Sequence, residues 1–162
     1  MGQKRKEVYK STDYHCICCG INKNNAKYHK WLEAHEYWKF DYFKGIGEIL
    51  DIVPLCHSCY NFIHSGRLSK IIGKEKTINE VKDILEHGLK ILSENYIKCF
   101  PFTLEFAKYL NCKTYNIESY NLPEDIIEWS DWKLIWNNKE YKSKFNSYEE
   151  WYNFYNSKII EE

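Results

Sequence analysis

The spacing of hydrophobic positions predicts one helix in the middle of the chain more clearly than any other element. Apolar side chains recur every three or four positions through residues 78–96, as expected for one face of an α-helix. Thr77 and Glu80 form a T-x-x-E capping box at the start of this run, which favours a helix beginning there. Pro101 limits its end, and a second, shorter helix is predicted over residues 102–110.

Shorter apolar runs before this helix predict two strands and one further helix. Residues 32–36 are rich in aromatic and apolar side chains, and residues 49–56 contain several β-branched ones, so both segments favour strands. Pro54 places the second strand at an edge or near its end. A helix is predicted over residues 58–64, and the Ser-Gly pair at residues 65–66 is expected to end it.

The residue pattern changes in the last third of the chain, where it predicts a small α+β region. Two short strands are expected on either side of the Asn137-Asn138 turn. Ser147 and Glu150 form a second capping box, and the helix that follows carries an aromatic stripe of Trp151, Phe154 and Tyr155. Such a stripe is typical of a core-facing helix, and a base-stacking surface is the alternative.

Composition and charge narrow the class of protein. The chain has 162 residues, of which 44% are hydrophobic, so it can bury a core without disulfides. Its 23 basic and 23 acidic residues give no net charge, which argues against a broad nucleic-acid surface but allows a local basic patch. The first ten residues are the most basic stretch; we expect a frayed, solvated terminus, with a DNA-contacting arm as the alternative. With no long apolar run and no leader, a cytoplasmic protein without a membrane partner is expected.

Four of the seven cysteines form two C-x-x-C pairs, Cys16 with Cys19 and Cys56 with Cys59. This spacing lets one turn of the chain offer two thiolates to one ion, and two such pairs predict a structural zinc site with four thiolates. The alternative is that one or both pairs are free thiols in a core. Cys18 fits neither pair, and Cys99 and Cys112 are expected to be buried as small hydrophobic residues.

Three motifs together resemble a known family. The order is C-x-x-C-G, then WLEAHEYW, then LCHSCYNFIHSG, within residues 14–70. This order is similar to the zinc-anchored bacterial and phage branch of the HNH (ββα-metal) endonucleases. The resemblance implies an α+β protein with a zinc-stapled ββα-metal module at residues 1–75. A connecting helix at residues 76–98 and a small α+β C-terminal region at residues 99–162 complete the predicted division.

The resemblance also implies a catalytic site. His35 takes the position of the general base that activates water, and His64 takes a position that ligates a catalytic divalent metal, Mg²⁺ or Mn²⁺. Two positions depart from the family pattern: Ala34 stands where Asp or His is common, and Tyr60 where Asn or His is common. Glu33, two residues before His35 and on the same strand face, is a candidate replacement ligand.

Two functions follow as hypotheses. The first is a metal-dependent DNA endonuclease or nickase in which His35, His64 and Glu33 act as described and zinc has a structural role only. The second is a catalytically degenerate HNH-like protein that binds nucleic acid, a nucleotide or a protein partner. Each histidine also has a plain alternative: His35 as a hydrogen-bonded core residue, His64 as a helix cap, and His87 as a solvated position on the long helix.

Overall fold

The computed structural model describes residues 2–113, 115–121 and 127–157. Within them it contains six α-helices and one four-stranded sheet, so the predicted α+β class is confirmed. The strands are β1 (Glu33–Asp41), β2 (Ile46–Leu55), β3 (Lys133–Trp136) and β4 (Lys139–Lys142). The helices are α1 (Gly2–Ser11), α2 (His57–Ile63), α3 (Ser65–Ile71), α4 (Ile78–Glu94), α5 (Pro101–Tyr109) and α6 (Tyr148–Ser157). No described helix has the length and apolarity needed to cross a bilayer.

The chain divides into two compact units, each made from two separate stretches. The first contains Met1–His35 and Val53–Asn121, and the second contains Glu36–Ile52 and Leu122–Glu162. Both units are discontinuous because β1 leaves the first unit after His35 and β2 returns to it at Val53. The sequence-based division, by contrast, followed consecutive segments.

The first unit has its main core along α4. The buried face of this helix carries the apolar spacing that predicted it, with Val81, Ile84, Leu85 and Leu89 all buried. The N-cap half of the predicted capping box is present at its start, where the Thr77 hydroxyl accepts a hydrogen bond from the Glu80 backbone N–H at 3.1 Å. The Glu80 carboxylate pairs instead with Lys76. Leu68 of α3 and Ala107 of α5 belong to the same core.

Two features of the first unit differ from the sequence prediction. Ser65 and Gly66 do not end the helical region: they begin α3 after a break at His64. A hydrogen bond between the buried Ser65 and Thr103 hydroxyls, 2.8 Å long, ties the start of α3 to α5. The basic N-terminal stretch, expected to fray, is the helix α1. In the first case a tertiary contact accompanies the departure from the predicted turn. In the second case the terminal residues form a helix although the sequence predicted a frayed end.

The later strands, β3 and β4, form one edge of the sheet and lie in the second unit. The strand order is β1-β2-β3-β4, with β2 parallel to β3 and β3 antiparallel to β4. Asn137 and Asn138, at φ 50° and 58°, form the predicted tight turn between β3 and β4. At the second predicted capping box, the Ser147 hydroxyl accepts from the Glu150 backbone N–H at 3.1 Å, and the Glu150 carboxylate accepts from the Asn146 N–H at 2.7 Å. The aromatic stripe of α6 is not a buried core: Trp151 and Tyr155 are exposed and Phe154 is half-buried.

Candidate zinc centre and histidine cluster

The two C-x-x-C pairs meet in the first unit. One ligand atom from each of Cys16, Cys19, Cys56 and Cys59 lies within 4.8 Å of all the others. The Cys19 and Cys56 sulfurs are 3.7 Å apart, close to the spacing of about 3.8 Å that Zn–S bonds of about 2.3 Å give in a tetrahedron. Three of the four thiols are buried. The donor set and spacing therefore fit a metal ion such as zinc.

Backbone hydrogen bonds shape the first cysteine pair and attach it to β2. The Gly20 N–H donates to the Cys16 carbonyl at 2.8 Å, and the Cys16 N–H donates to the Ile21 carbonyl at 2.9 Å. Gly20 has φ +69°, a conformation that favours glycine. The Ile17 N–H donates to the Pro54 carbonyl at 3.0 Å, so the two pairs are held close by the end of β2.

The four thiols cannot all ionise easily without a cation. A hydrogen bond with the neighbouring Cys18 thiol, and then bonds with the other three thiols of the group, lower the pKa of the Cys16 thiol. Hydrogen bonds with the surrounding thiols, above all with Cys16, raise the pKa of the Cys59 thiol. A divalent ion supplies the positive charge that lets all four act as thiolates.

His87 on α4 contacts the cluster and is not simply solvated as expected. Its Nε2 lies 3.4 Å from the Cys59 sulfur, and a ring N–H there donates to a thiolate. Sequence spacing gave no signal for this contact because Cys59 and His87 lie 28 positions apart on different helices. Cys18 is exposed and lies outside the group of four, while Cys99 and Cys112 are buried as expected.

The two histidines predicted for the catalytic site lie together. The rings of His35 in β1 and His64 at the end of α2 stack with centroids 4.9 Å apart and planes 17° apart. Tyr60 meets both rings edge-on, with centroids at 5.6 Å from His35 and 4.8 Å from His64. His35 is buried, with 8% of its surface exposed. The two predicted functional side chains, His35 and His64, are thus adjacent, and both contact Tyr60.

Glu33, the predicted replacement ligand, contacts a different histidine. Its Oε1 lies 3.0 Å from Nδ1 of His57, the first residue of α2. The Lys76 ammonium lies 2.8 Å from His57 Nε2 and forms an ion pair with Glu80. Asn61 donates to the His57 carbonyl at 2.9 Å. The sequence analysis missed this buried polar cluster because its members come from three separate elements.

The two predicted ligands of a catalytic divalent ion, His64 and Glu33, contact different histidines. Among the described residues, the four cysteines are the one group of three or more metal-ligating side chains gathered within ligand distance. His64 stacks on His35, the predicted base, whereas the Glu33 carboxylate contacts His57. Mg²⁺ usually keeps several waters beside one or two protein ligands, so a catalytic metal at this pair stays a prediction.

A cavity of about 460 Å³ lies beside Tyr60 in the first unit. Ala34 and Tyr60, the two positions that depart from the family pattern, both line it. Arg5 and Lys6 of α1 contribute two cations to the same wall, and Trp31 contributes an exposed ring. The basic N-terminal stretch was the sequence signal for these cations, although the sequence did not place them next to the motif.

Comparison of the chain with protein-family models, with curated proteins and with solved structures finds no match. The likeness to HNH endonucleases therefore rests on the three motifs in the sequence. Function has to be argued from the chemistry of the residues gathered in the first unit.

Proposed function

We propose that the chain is a zinc-anchored, HNH-type nuclease or nickase that hydrolyses phosphodiester bonds in DNA. The observation that carries this proposal is the stacked pair of His35 and His64, 4.9 Å apart. One comes from the first strand and the other from the end of the helix after the second strand, beside the four-cysteine cluster. This is the strand-strand-helix order in which the resembling family places its general base and its second histidine.

In the proposed reaction His35 accepts a proton from a water molecule, and the oxygen of that water attacks phosphorus. The bond between phosphorus and the 3′ oxygen breaks, and the leaving oxygen takes a proton from solvent. The products are a 5′-phosphate and a 3′-hydroxyl. Arg5 and Lys6, which line the cavity beside Tyr60 together with Glu33, supply positive charge near the phosphate. A divalent ion held by His64 would polarise the phosphate and stabilise the leaving oxygen.

The second candidate is a nucleic-acid-binding protein of the same fold without cleavage. Two observations favour it: only 8% of His35 is exposed, and Tyr60 and His64 cover its ring. A general base needs contact with the water that it activates. The cations of α1 would still bind a phosphate backbone or a nucleotide, and a protein partner remains a further option for this candidate.

Cleavage of supercoiled plasmid by the purified protein separates the two candidates. The reaction is run with Mg²⁺, with Mn²⁺ and without an added divalent ion. For the nuclease we expect nicked circles, lost in His35→Ala and retained in the matched control His15→Ala, whose ring contacts the Thr12 carbonyl near the first cysteine pair. Nicking that survives His35→Ala contradicts the mechanism. No nicking under any condition, together with binding that Arg5→Ala weakens, supports the second candidate.

A further inference from the structure

An open apolar groove lies within the second unit. Its volume is about 460 Å³, and five aromatic rings line it: Trp38, Phe40, Trp129, Trp132 and Tyr141. Phe40 is 49% exposed and Tyr141 is 45% exposed. Large rings that remain this accessible are not serving as an ordinary core, and a contiguous set of them marks a binding surface.

One wall of the groove is flat because position 47 has no side chain. Trp38 and Phe40 stack with planes 7° apart and centroids 5.5 Å apart. A Cβ at Gly47 would lie 3.3 Å from the Phe40 ring and 3.4 Å from the Trp38 ring. The absence of that atom lets both rings lie close against the β2 backbone. Such a wall suits a planar ligand that stacks.

Trp129, another of the lining rings, packs against two aromatic residues of α6. Trp129 lies with its centroid 5.9 Å from Tyr148 and 6.5 Å from Trp151. Its indole N–H also donates to the Ser143 hydroxyl at 3.2 Å. These contacts fix the Trp129 ring before any ligand arrives, which reduces the entropy lost on binding.

The charged side chains that line the groove are lysines. Lys133 and Lys142 face each other as cross-strand partners of β3 and β4 and both line the groove, together with Ser143. No aspartate or glutamate is among the described residues that line it. Glu140 forms an ion pair with Lys133 at 3.3 Å, which leaves Lys142 as the rim cation for an anionic ligand.

We propose that this groove binds single-stranded nucleic acid, with an unpaired base stacked between the aromatic walls and its phosphate on Lys142. Flat rings beside a cation are what stacked bases and their backbone require, and every base offers a π face. An apolar peptide would use the rings but would gain nothing from the lysine rim. This site goes beyond the proposed cleavage site, since it uses the second unit and is independent of His35.

The test measures binding of fluorescein-labelled (dT)12 by anisotropy, with zinc-loaded protein and no other divalent ion. Tyr141→Ala should weaken binding by about five-fold or more, since a stacked base is worth at least this much. Lys142→Ala should weaken binding as well, since it removes a phosphate contact. Two matched controls should bind as the wild type does: Tyr37→Ala, an exposed tyrosine of the same unit outside the groove, and Lys139→Ala, an exposed lysine of β4 outside it. Lys142→Ala should also reduce the slope of log K against log salt by about 0.7.

Each outcome bears on the groove separately from the cleavage site. Equal binding by the Lys142→Ala and Lys139→Ala variants would overturn the proposal, because the phosphate contact would lie elsewhere. No binding of (dT)12, or a dimer that Tyr141→Ala dissociates, would overturn it in favour of a protein occupant or a second copy. Loss of (dT)12 binding in the groove variants supports it even if the plasmid assay shows no nicking.

Discussion

Glu33 Oε1 lies 3.0 Å from His57 Nδ1, so the carboxylate two residues before His35 is held by a different histidine, at the start of α2. Only 9% of the His57 side chain and 25% of the Glu33 side chain are exposed. In this environment a hydrogen bond to a charged group is worth more than it is at the surface. The contact ties the beginning of β1 to α2 and gives Glu33 a structural role.

Glu33→Gln should therefore lower stability. We expect the free energy of unfolding in urea at pH 7 to fall by about 1–2 kcal/mol, because a partly buried charge-assisted bond is lost. Glu105→Gln, a change of the same kind at an exposed position of α5 in the same unit, should change it by less than about 0.5 kcal/mol. Unchanged stability with altered dependence on added Mn²⁺ would instead show that Glu33 acts as a metal ligand.

Zinc binding and folding should be lost together when a clustered cysteine is removed. Cys16→Ser and Cys59→Ser each leave three thiolates, and a structural zinc site contributes on the order of 10 kcal/mol to folding. We expect about one zinc per chain in the wild type by mass spectrometry of the metal and a much lower content in both variants. Cys112→Ser, at a buried cysteine outside the cluster, should keep its zinc. Full zinc content in Cys59→Ser would contradict the four-thiolate site.

His87 should strengthen the zinc site through its hydrogen bond to Cys59. His87→Phe keeps an aromatic ring but removes the N–H that lies 3.4 Å from the sulfur. Loss of such a supporting bond lowers metal affinity by about ten-fold or more, which competition with a chromophoric chelator would measure. Lys90→Ala, at an exposed position of the same helix, is the control. Equal affinities in the two variants would mean that the His87 contact does not support the metal.

A close contact between α2 and α4 leaves no room for a side chain at position 88, so this packing requires glycine there. A Cβ at this position would lie 2.1 Å from Cγ of Phe62, which is the root of the ring and cannot move without the whole side chain. Gly88→Ala should destabilise the fold by about 2 kcal/mol despite the better helix propensity of alanine. Gly66→Ala is the matched control, because it is also helical and has no atom within 4 Å of the added Cβ; it should stabilise slightly. The Phe62→Ala background should remove most of the Gly88→Ala penalty, and a penalty that persists there would have another cause.

Local signals predicted the parts of the fold that local interactions decide. Thr77 and the Asn137-Asn138 pair act on their own neighbours, so the start of α4 and the β3–β4 turn could be predicted from sequence. The two C-x-x-C pairs predicted the cysteine cluster because a metal-ligand pattern constrains distant segments chemically. Gly88 against Phe62 and Glu33 against His57 are contacts between elements with no such pattern. The start of a new helix at Ser65, directly after α2 ends, was not predicted either, and the Ser65 hydroxyl bond to Thr103 is another contact between distant elements.

The division of the chain into two units also depends on features that the local pattern does not predict. The hydrophobic pattern gave the strands β1 and β2 but not how far they extend, and their extension is what carries the chain out of the first unit and back. For the aromatic stripe of α6, the local pattern predicted a buried face that the structure does not have. Its periodicity is that of a core-facing helix, yet several of its rings are exposed beside the groove, because period alone does not say what the face meets.

Tyr60 should limit activity at the histidine pair. Its ring meets both His35 and His64 edge-on and covers them, and a phenol is a poor ligand for a hard cation. Tyr60→Asn removes the cover and adds an amide oxygen at the position where the resembling family has Asn or His. We expect plasmid nicking with Mn²⁺ to rise by at least about ten-fold, which corresponds to about 1.4 kcal/mol of barrier.

Two controls isolate the cause of any such increase. Tyr60→Phe keeps the ring and should nick as the wild type does, because the cover remains. The double variant Tyr60→Asn, His35→Ala should not nick at all, because the base is absent. If Tyr60→Asn folds, keeps its zinc and still nicks no faster than the wild type, Tyr60 is not what restricts the site. The two histidines would then be part of the core, and the second candidate, binding without cleavage, would be the better description of the first unit.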